Sequence, residues 1–447
     1  MHGTLHTIAA ALTNRNHSIS LFSPHTPRNV PGIEEVCPRS LWGYYEERFP
    51  NVFELDGALA NLKFVTGVWR SIVQFCTDLL ASPEFESLVE KLKVKKFDAI
   101  IINGLYNDCA LGFVHVLGIP FIYVNTGGSY PWTDEAVGKP LYTSFEPFIY
   151  SSFGDRMSFL ERAANTIQTL GTKLLFKLRV RWPIEALWRA RETRIPSFDE
   201  LSREVALVLQ MSHVAVDYPR VGMSNVVDVA GLQCTNARRL PKDVATFLGE
   251  FDGFVVFSMG SMKGCQSLPS HVKTAFQVAF QDMKDLGFVV LGGDMNLRGE
   301  NIFHASWLQL QDLLGHKKCR GLITHGGRQS TTEATCHGIP LIGLPVSADQ
   351  WFLLRRGRKA GAVADVLDWR RVSSLQVSSA LGNLSHPAIQ ESAMRQKQLI
   401  HDRLRPPLEE ATFWLEYVAN HDGAGHLKSS SRHLGSIALY SYDLLVI

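Results

Sequence analysis

The sequence predicts an α/β chain built as two doubly wound, Rossmann-like domains. Three observations carry this. The chain has 447 residues, enough for two cores of ordinary size. Strand-like apolar runs recur along it with helical stretches between them. Most of these runs are apolar on consecutive residues, as parallel strands buried on both faces require.

Taken in order, Met1–Asn14 reads as an amphipathic helix with Leu5, Ile8 and Leu12 on one stripe. Strands follow at Ser18–Phe22, Phe97–Ile102 and Pro120–Val124, with helices at Phe85–Lys95 and Met157–Leu178. Residues 231–245, with Pro241 and little periodicity, read as the linker. The second half has strands at Phe254–Phe257, Phe288–Leu291, Gly321–Thr324 and Leu341–Leu344, and a helix at Leu268–Leu286. From about residue 395 a polar-apolar helix runs to Ala419, with a break near Pro406-Pro407. Nothing repeats at a solenoid period. The expected domains are 1–235 and 236–400, with a tail at 401–447. A doubly wound half should begin with a strand, often central in its sheet. Here a helix comes first, so the first domain reads as lacking its first strand, with neighbouring edges left unpaired.

Lys plus Arg number 45 against 43 Asp plus Glu, so no basic face for nucleic acid is expected. The seven cysteines are scattered and odd in number, without a C-x-x-C pair. They read as a reduced set, with one bridge left open. No charged stretch followed by an apolar one opens the chain, and no run of about 18 apolar residues occurs. Neither a signal peptide nor a spanning helix is therefore expected in these residues.

Residues 307–350 are the most informative stretch. Ile323-Thr-His325-Gly-Gly-Arg-Gln329-Ser330-Thr-Thr-Glu333 reads as a buried strand, a glycine turn and a helix. That arrangement turns backbone N–H groups and the positive helix end towards an anion. Gly326 and Gly327 let the backbone approach it closely. Gln329 and Glu333, four apart, share one helix face. A second buried strand then leads to Asp349-Gln350.

With Trp307, the Asp312-Leu-Leu-Gly-His316 run, Thr324-His-Gly-Gly327 and Ala348-Asp-Gln350, this stretch resembles the signature of the UDP-glycosyltransferases. That family includes the glucuronosyltransferases. Phe254–Ser261, Asp155–Phe159, Asn107-Asp-Cys109 and Trp414–Val418 agree, and the resemblance covers nearly the whole chain. It points to an animal member, with Asn107-Asp-Cys109 leaning towards invertebrates. It implies the GT-B fold and inverting transfer of glucose or glucuronic acid from UDP-sugar to a hydroxyl of a small lipophilic acceptor. UDP-sugar is then a co-substrate, and no cofactor or metal is implied. Membrane association at the lumenal face of the endoplasmic reticulum and a homo-oligomer are further implications. Family members have a signal and an anchor, so the chain reads as clipped at both ends.

The resemblance also implies residue roles. Ser261, His325, Gln329 and Ser330, with Gly327 at the helix start, would face the diphosphate. The family usually has Asn where Gln329 stands. Trp307 would stack on uracil. Where the family reads the uracil edge with Gln, this chain has Leu310, so Gln309 or Gln311 would substitute. Glu333 would accept from the ribose hydroxyls, and Asp349 and Gln350 would bind the sugar. The family's catalytic histidine lies at a fixed interval before a helix end that is Arg15-Asn16-His17 here. Counting back lands on Met1, so His2 is the nearest candidate, with His6 a turn further. The carboxylate that orients this histidine is replaced by Asn103, with Asp108 as the fallback. The aromatic stretch from Tyr130 to Phe159 would line the acceptor pocket.

Two rival readings stand beside this one. The substitutions at Met1, Asn103 and Leu310 favour a catalytically inactive nucleotide-sugar binder. A dinucleotide oxidoreductase on a similar fold is disfavoured, because no G-x-G-x-x-G follows an N-terminal strand.

Overall fold

The computed structural model describes residues 2–25, 30–44, 53, 60–260, 268–292, 295 and 297–445. The first domain opens with helix α1 (His2–Thr13), then strands β1 (Ile19–Leu21) and β2 (Ile33–Glu35). It continues through α2 (Ala60–Ala81), β3 (Ile100–Asn103), α3 (Cys109–Leu117), β4 (Phe121–Asn125), α4 (Phe159–Phe176), β5 (Leu207–Gln210) and β6 (Val226–Asp228). Its strands form two sheets. β1 and β2 pair with each other, while β3, β4, β5 and β6 pair in chain order, all parallel. Among the described residues no ladder joins the two sheets.

The second domain comprises β7 (Gly253–Ser258), α5 (Ser270–Asp282), β8 (Leu286–Leu291), β9 (Ile302–Ala305), α6 (Leu310–Leu314), β10 (Cys319–Thr324), α7 (Arg328–His337), β11 (Leu341–Gly343), α8 (Gln350–Lys359) and β12 (Val363–Val366). These strands make one parallel sheet in the order β12-β11-β10-β7-β8-β9. Every residue of β7 is buried. Phe254 and Val256 face one core and Val255 and Phe257 the other, the period-two alternation of a strand covered on both faces. The chain moves outwards from β7 to β9, then restarts at β10 on the other side of β7. The junction of β7 and β10 is therefore the topological switch point, where open α/β sheets bind ligands beyond the strands' carboxyl ends.

The C-terminal helix divides near the expected break but begins earlier than residue 395: α9 (Pro387–His401) ends at His401, and α10 (Pro407–Asn420) starts on Pro407 with Pro406 as its N-cap. α10 returns to the first domain. Its Ala411, Leu415 and Val418 share a core with Ile8 and Leu12 of α1 and Ile122 and Val124 of β4. Arg15 holds Glu416 at 2.6 Å across that contact.

Three readings need correction. Strands β2, β5, β6, β9 and β12 were not expected. Each has three or four residues, too short for periodicity to register. The helix expected over Met157–Leu178 starts later and runs further. Ser158 closes a capping box with Glu161, and a wider π-type turn at Lys177–Arg181 leads into a second helix, Trp182–Arg189. The cysteines are not a reduced set. Cys76–Cys109 links α2 to the start of α3, and Cys234–Cys336 links the linker to α7. The pairs lie 33 and 102 residues apart, so only the fold reveals them. Cys37 and Cys319 are free, and Cys265 lies outside the described residues. Among the described residues no helix is long and apolar enough to cross a membrane.

Candidate active site

The site forms because parallel strands end on the same edge. Gly260 follows β7, Trp307 follows β9, His325 follows β10 and Asp349 follows β11. Thr324 pairs with Ser258 in the ladder, so the two loops beyond them meet at the switch point. The His325 ring fills the space between those loops. A Cβ on Gly260 would come within 2.7 Å of its Cε1, and a Cβ on Gly327 within 2.4 Å of its Nε2. Gly260 and Gly326 also have φ of 82° and 87°, which a β-carbon disfavours. The glycines thus make room for the imidazole as well as for a ligand.

Burial lowers the His325 pKa to about 4, so at neutral pH the ring is an uncharged hydrogen-bond donor. Thr324 Oγ1 lies 3.3 Å from its Nδ1 and 3.1 Å from Ser330 Oγ. Ser330 in turn donates to the Gly327 carbonyl at 3.1 Å. Gly327 is the N-cap of α7, so the free N–H groups of that helix open towards the same space. Gln329 is exposed and donates to Glu333 at 3.1 Å. Glu333 is buried, and burial pushes its carboxyl up to about 7.

Trp307 is 68% exposed, an open aromatic face beyond β9. Gln309 is exposed at the N-cap of α6. Gln311 is committed elsewhere: it accepts from Thr235 N–H and donates to the Gln233 carbonyl, fastening the linker. That leaves Gln309 as the amide on this edge. Gln350 Oε1 accepts from the backbone N–H of Val346 and Ser347, which shapes its own loop. Asp349 is half-buried, and burial pushes its carboxyl up to about 6 against the pull of Arg328. Ser261 lies outside the described residues.

The first-domain candidates do not converge in the same way. His2 opens α1, and its side chain lies outside the described residues. Gly3 lies near Gln329, so the start of α1 does face the donor motif. Asn103 Oδ1 accepts from Leu105 N–H at 3.0 Å and from Thr126 Oγ1 at 3.4 Å, closing the turn after β3. Asp108 is not available to orient a base. It is 2% exposed and paired with buried Arg181 at 2.6 Å, which also binds Asp199 at 2.7 Å. From the aromatic stretch, Tyr130 and Trp132 are core residues stacked 5.0 Å apart. The open space nearby is a cavity of about 80 Å³ between the domains, lined in part by Tyr142, Phe148, Tyr218, Phe352 and Arg328.

Sequence reading passed over Arg328 and Asp217. Their buried ion pair joins α7 to the segment after β5, with contacts of 2.7 and 2.9 Å. One signal was present: a cation at the first position of a helix opposes the helix dipole and calls for a partner.

Two parallel-sheet domains with donors gathered at a switch point define a GT-B glycosyltransferase fold. Solved structures agree at 14–16% identity: the glycotransferase of kitacinnamycin (TM-score 0.59) and glycosyltransferase VinC in complex with dTDP (TM-score 0.58), each matched over 93% of this chain and 95% of theirs. The family model described as "UDP-glucoronosyl and UDP-glucosyl transferase" matches residues 35–447, and the chain belongs to that family of UDP-sugar transferases. Human UDP-glucuronosyltransferase 2B15 is 32% identical over 83% of this chain and 70% of its own length. UDP-glucosyltransferase 2 of Dactylopius coccus is 26% identical over 97% and 84%.

Proposed function

We propose that this chain transfers glucose or glucuronic acid from UDP to a hydroxyl of a small lipophilic acceptor, with inversion. The observation that carries this is the meeting of His325, Ser330 and the α7 N-terminus with the loop after β7 at the switch point, with Trp307 following β9 and Asp349-Gln350 following β11 on the same edge of the sheet. In this reading Trp307 stacks on uracil and Glu333 accepts from the ribose. The N-terminus of α7, Ser261, neutral His325, Gln329 and Ser330 stabilise the diphosphate as its charge grows. Asp349 and the Gln350 Nε2 hold the sugar. UDP-sugar is a co-substrate, and no cofactor is called for. The cavity between the domains would admit the acceptor.

The compartment we propose is the lumenal side of the endoplasmic reticulum. Two disulfides support an oxidising environment. The acceptor asparagines of both sequons, Asn16-His-Ser18 and Asn383-Leu-Ser385, are exposed.

Calorimetric titration with UDP and NAD, beside turnover of UDP-glucose and UDP-glucuronate with a phenolic acceptor, tests the reading. UDP binding with glycoside product is expected. Binding of NAD in place of UDP would overturn it. UDP binding without turnover would favour the inactive binder.

A further inference from the structure

The Arg328 guanidinium is held on nearly every side. Asp217 takes both terminal nitrogens, at 2.7 Å from Nη1 and 2.9 Å from Nη2, and Nη1 also donates to the Met211 carbonyl at 3.1 Å. Ser212 donates to the same Asp217 carboxylate at 2.5 Å. Gly128, at φ 108°, lies under Nη2, where a β-carbon would come within 2.8 Å. Both charges are almost fully buried. One donor is left over. Nε is buried without a hydrogen-bond partner, and it lies 4.0 Å from Asp349 Oδ2. A guanidinium presents its five N–H groups as a rigid fork, so fixing its two ends on Asp217 fixes the direction of Nε.

We propose that Arg328 is a positioning residue for the donor sugar. Anchored by Asp217 of the first domain, it holds the Asp349 carboxylate towards the sugar hydroxyls. Contact between the domains thereby sets sugar binding and leaves nucleotide binding alone. The inference rests on the UDP-sugar reading above. It requires that Asp349 contact the sugar, while Trp307 and Glu333 hold the nucleoside.

Arg328 of α7, 4.0 Å away, and Asp217 of the segment after β5 act electrostatically on Asp349, and Asp349 acts in turn on the phenols of Tyr106, Tyr130 and Tyr150. Arg328 is the cation among them and favours the charged carboxylate. Its removal moves the Asp349 midpoint upwards from about 6. An ionised Asp349 is the form that accepts from sugar hydroxyls. Sugar binding in the variant should therefore need a higher pH than in the parent.

The test is calorimetry on the full chain with UDP, UDP-glucose and UDP-glucuronate at several pH values. Arg328→Lys keeps a charge for Asp217 and loses the fork. Arg328→Leu with Asp217→Leu removes both buried charges together, so neither is left unpaired and the fold survives. In both variants we expect UDP affinity within about twofold of the parent. Preference for the UDP-sugar should fall about tenfold, within the usual range of coupling between sites. In the double variant the pH midpoint of sugar binding should rise. Parallel loss of UDP and UDP-sugar affinity would make the pair a structural clamp and overturn the proposal. Parent-like sugar affinity in either variant would overturn it too. Failure of the unmodified chain to bind UDP would instead strike the donor-site reading on which the inference stands.

Discussion

The two domains alternate strands and helices in the same way, yet they differ at the place where each would do chemistry. In the second, six strands form one sheet, and its switch point gathers His325, the α7 N-terminus and Glu333. In the first, the strands fall into a pair and a group of four, with no ladder between them among the described residues. Its polar candidates there are spent on structure, Asn103 on a turn and Asp108 on Arg181. A strand end can become a site when its polar groups bond only within the local loop and helix start, which leaves helix N–H groups and ring faces open. When the fold already satisfies them, the same position becomes scaffold.

Substitutions that separate stability from binding can break this contrast. The largest effect is expected at Asp108. Asp108→Ala leaves buried Arg181 with Asp199 as its remaining carboxylate and Ser202 as a neutral acceptor, and removing one member of a buried pair costs about 3–5 kcal/mol. Denaturant unfolding should report that loss, with UDP affinity of the folded fraction unchanged. A catalytic loss without a stability loss would return Asp108 to the chemistry.

His325→Ala should act in the opposite sense, with a smaller stability loss than Asp108→Ala, from the space its ring vacates, and kcat lowered about 10²–10³-fold, as loss of one oxyanion-type donor does. UDP affinity should fall less, because the diphosphate charge grows towards the transition state. Equal losses in kcat and UDP affinity would make His325 a ground-state contact.

A smaller effect is expected at Trp307. Trp307→Ala should weaken UDP binding by about 1–3 kcal/mol, the worth of a base stacked on an aromatic ring. Its high exposure predicts no change in melting temperature. Calorimetric UDP affinity equal to the parent's would remove Trp307 from the site.

The smallest effect is a slope with pH. Glu333 titrates near 7, raised by burial, and its ionised form accepts from ribose. UDP affinity should therefore rise with pH through about 7 and level off above it. The change is about tenfold for each pH unit below the midpoint at most. Glu333→Gln should flatten the profile. An unaltered profile would assign the titration to another group.

Much of the donor half was legible from residues alone. Consecutive apolar runs marked β7, β8, β10 and β11, because strands covered on both faces have no polar side to show. The Thr324-His-Gly-Gly327 turn marked the helix start, because only glycine permits that backbone and that close approach. Prolines 406 and 407 marked the break between α9 and α10, because the ring removes a donor and blocks the preceding turn. Tertiary structure alone decided the rest. The disulfides span 33 and 102 residues, the Arg328–Asp217 pair 111, and the Arg181–Asp108 pair 73. Whether Asn103, Asp108 and Gln311 were free to act depended on such distant partners too. A local pattern reports the backbone a residue favours, whereas the partner that claims its side chain is chosen only when distant segments pack.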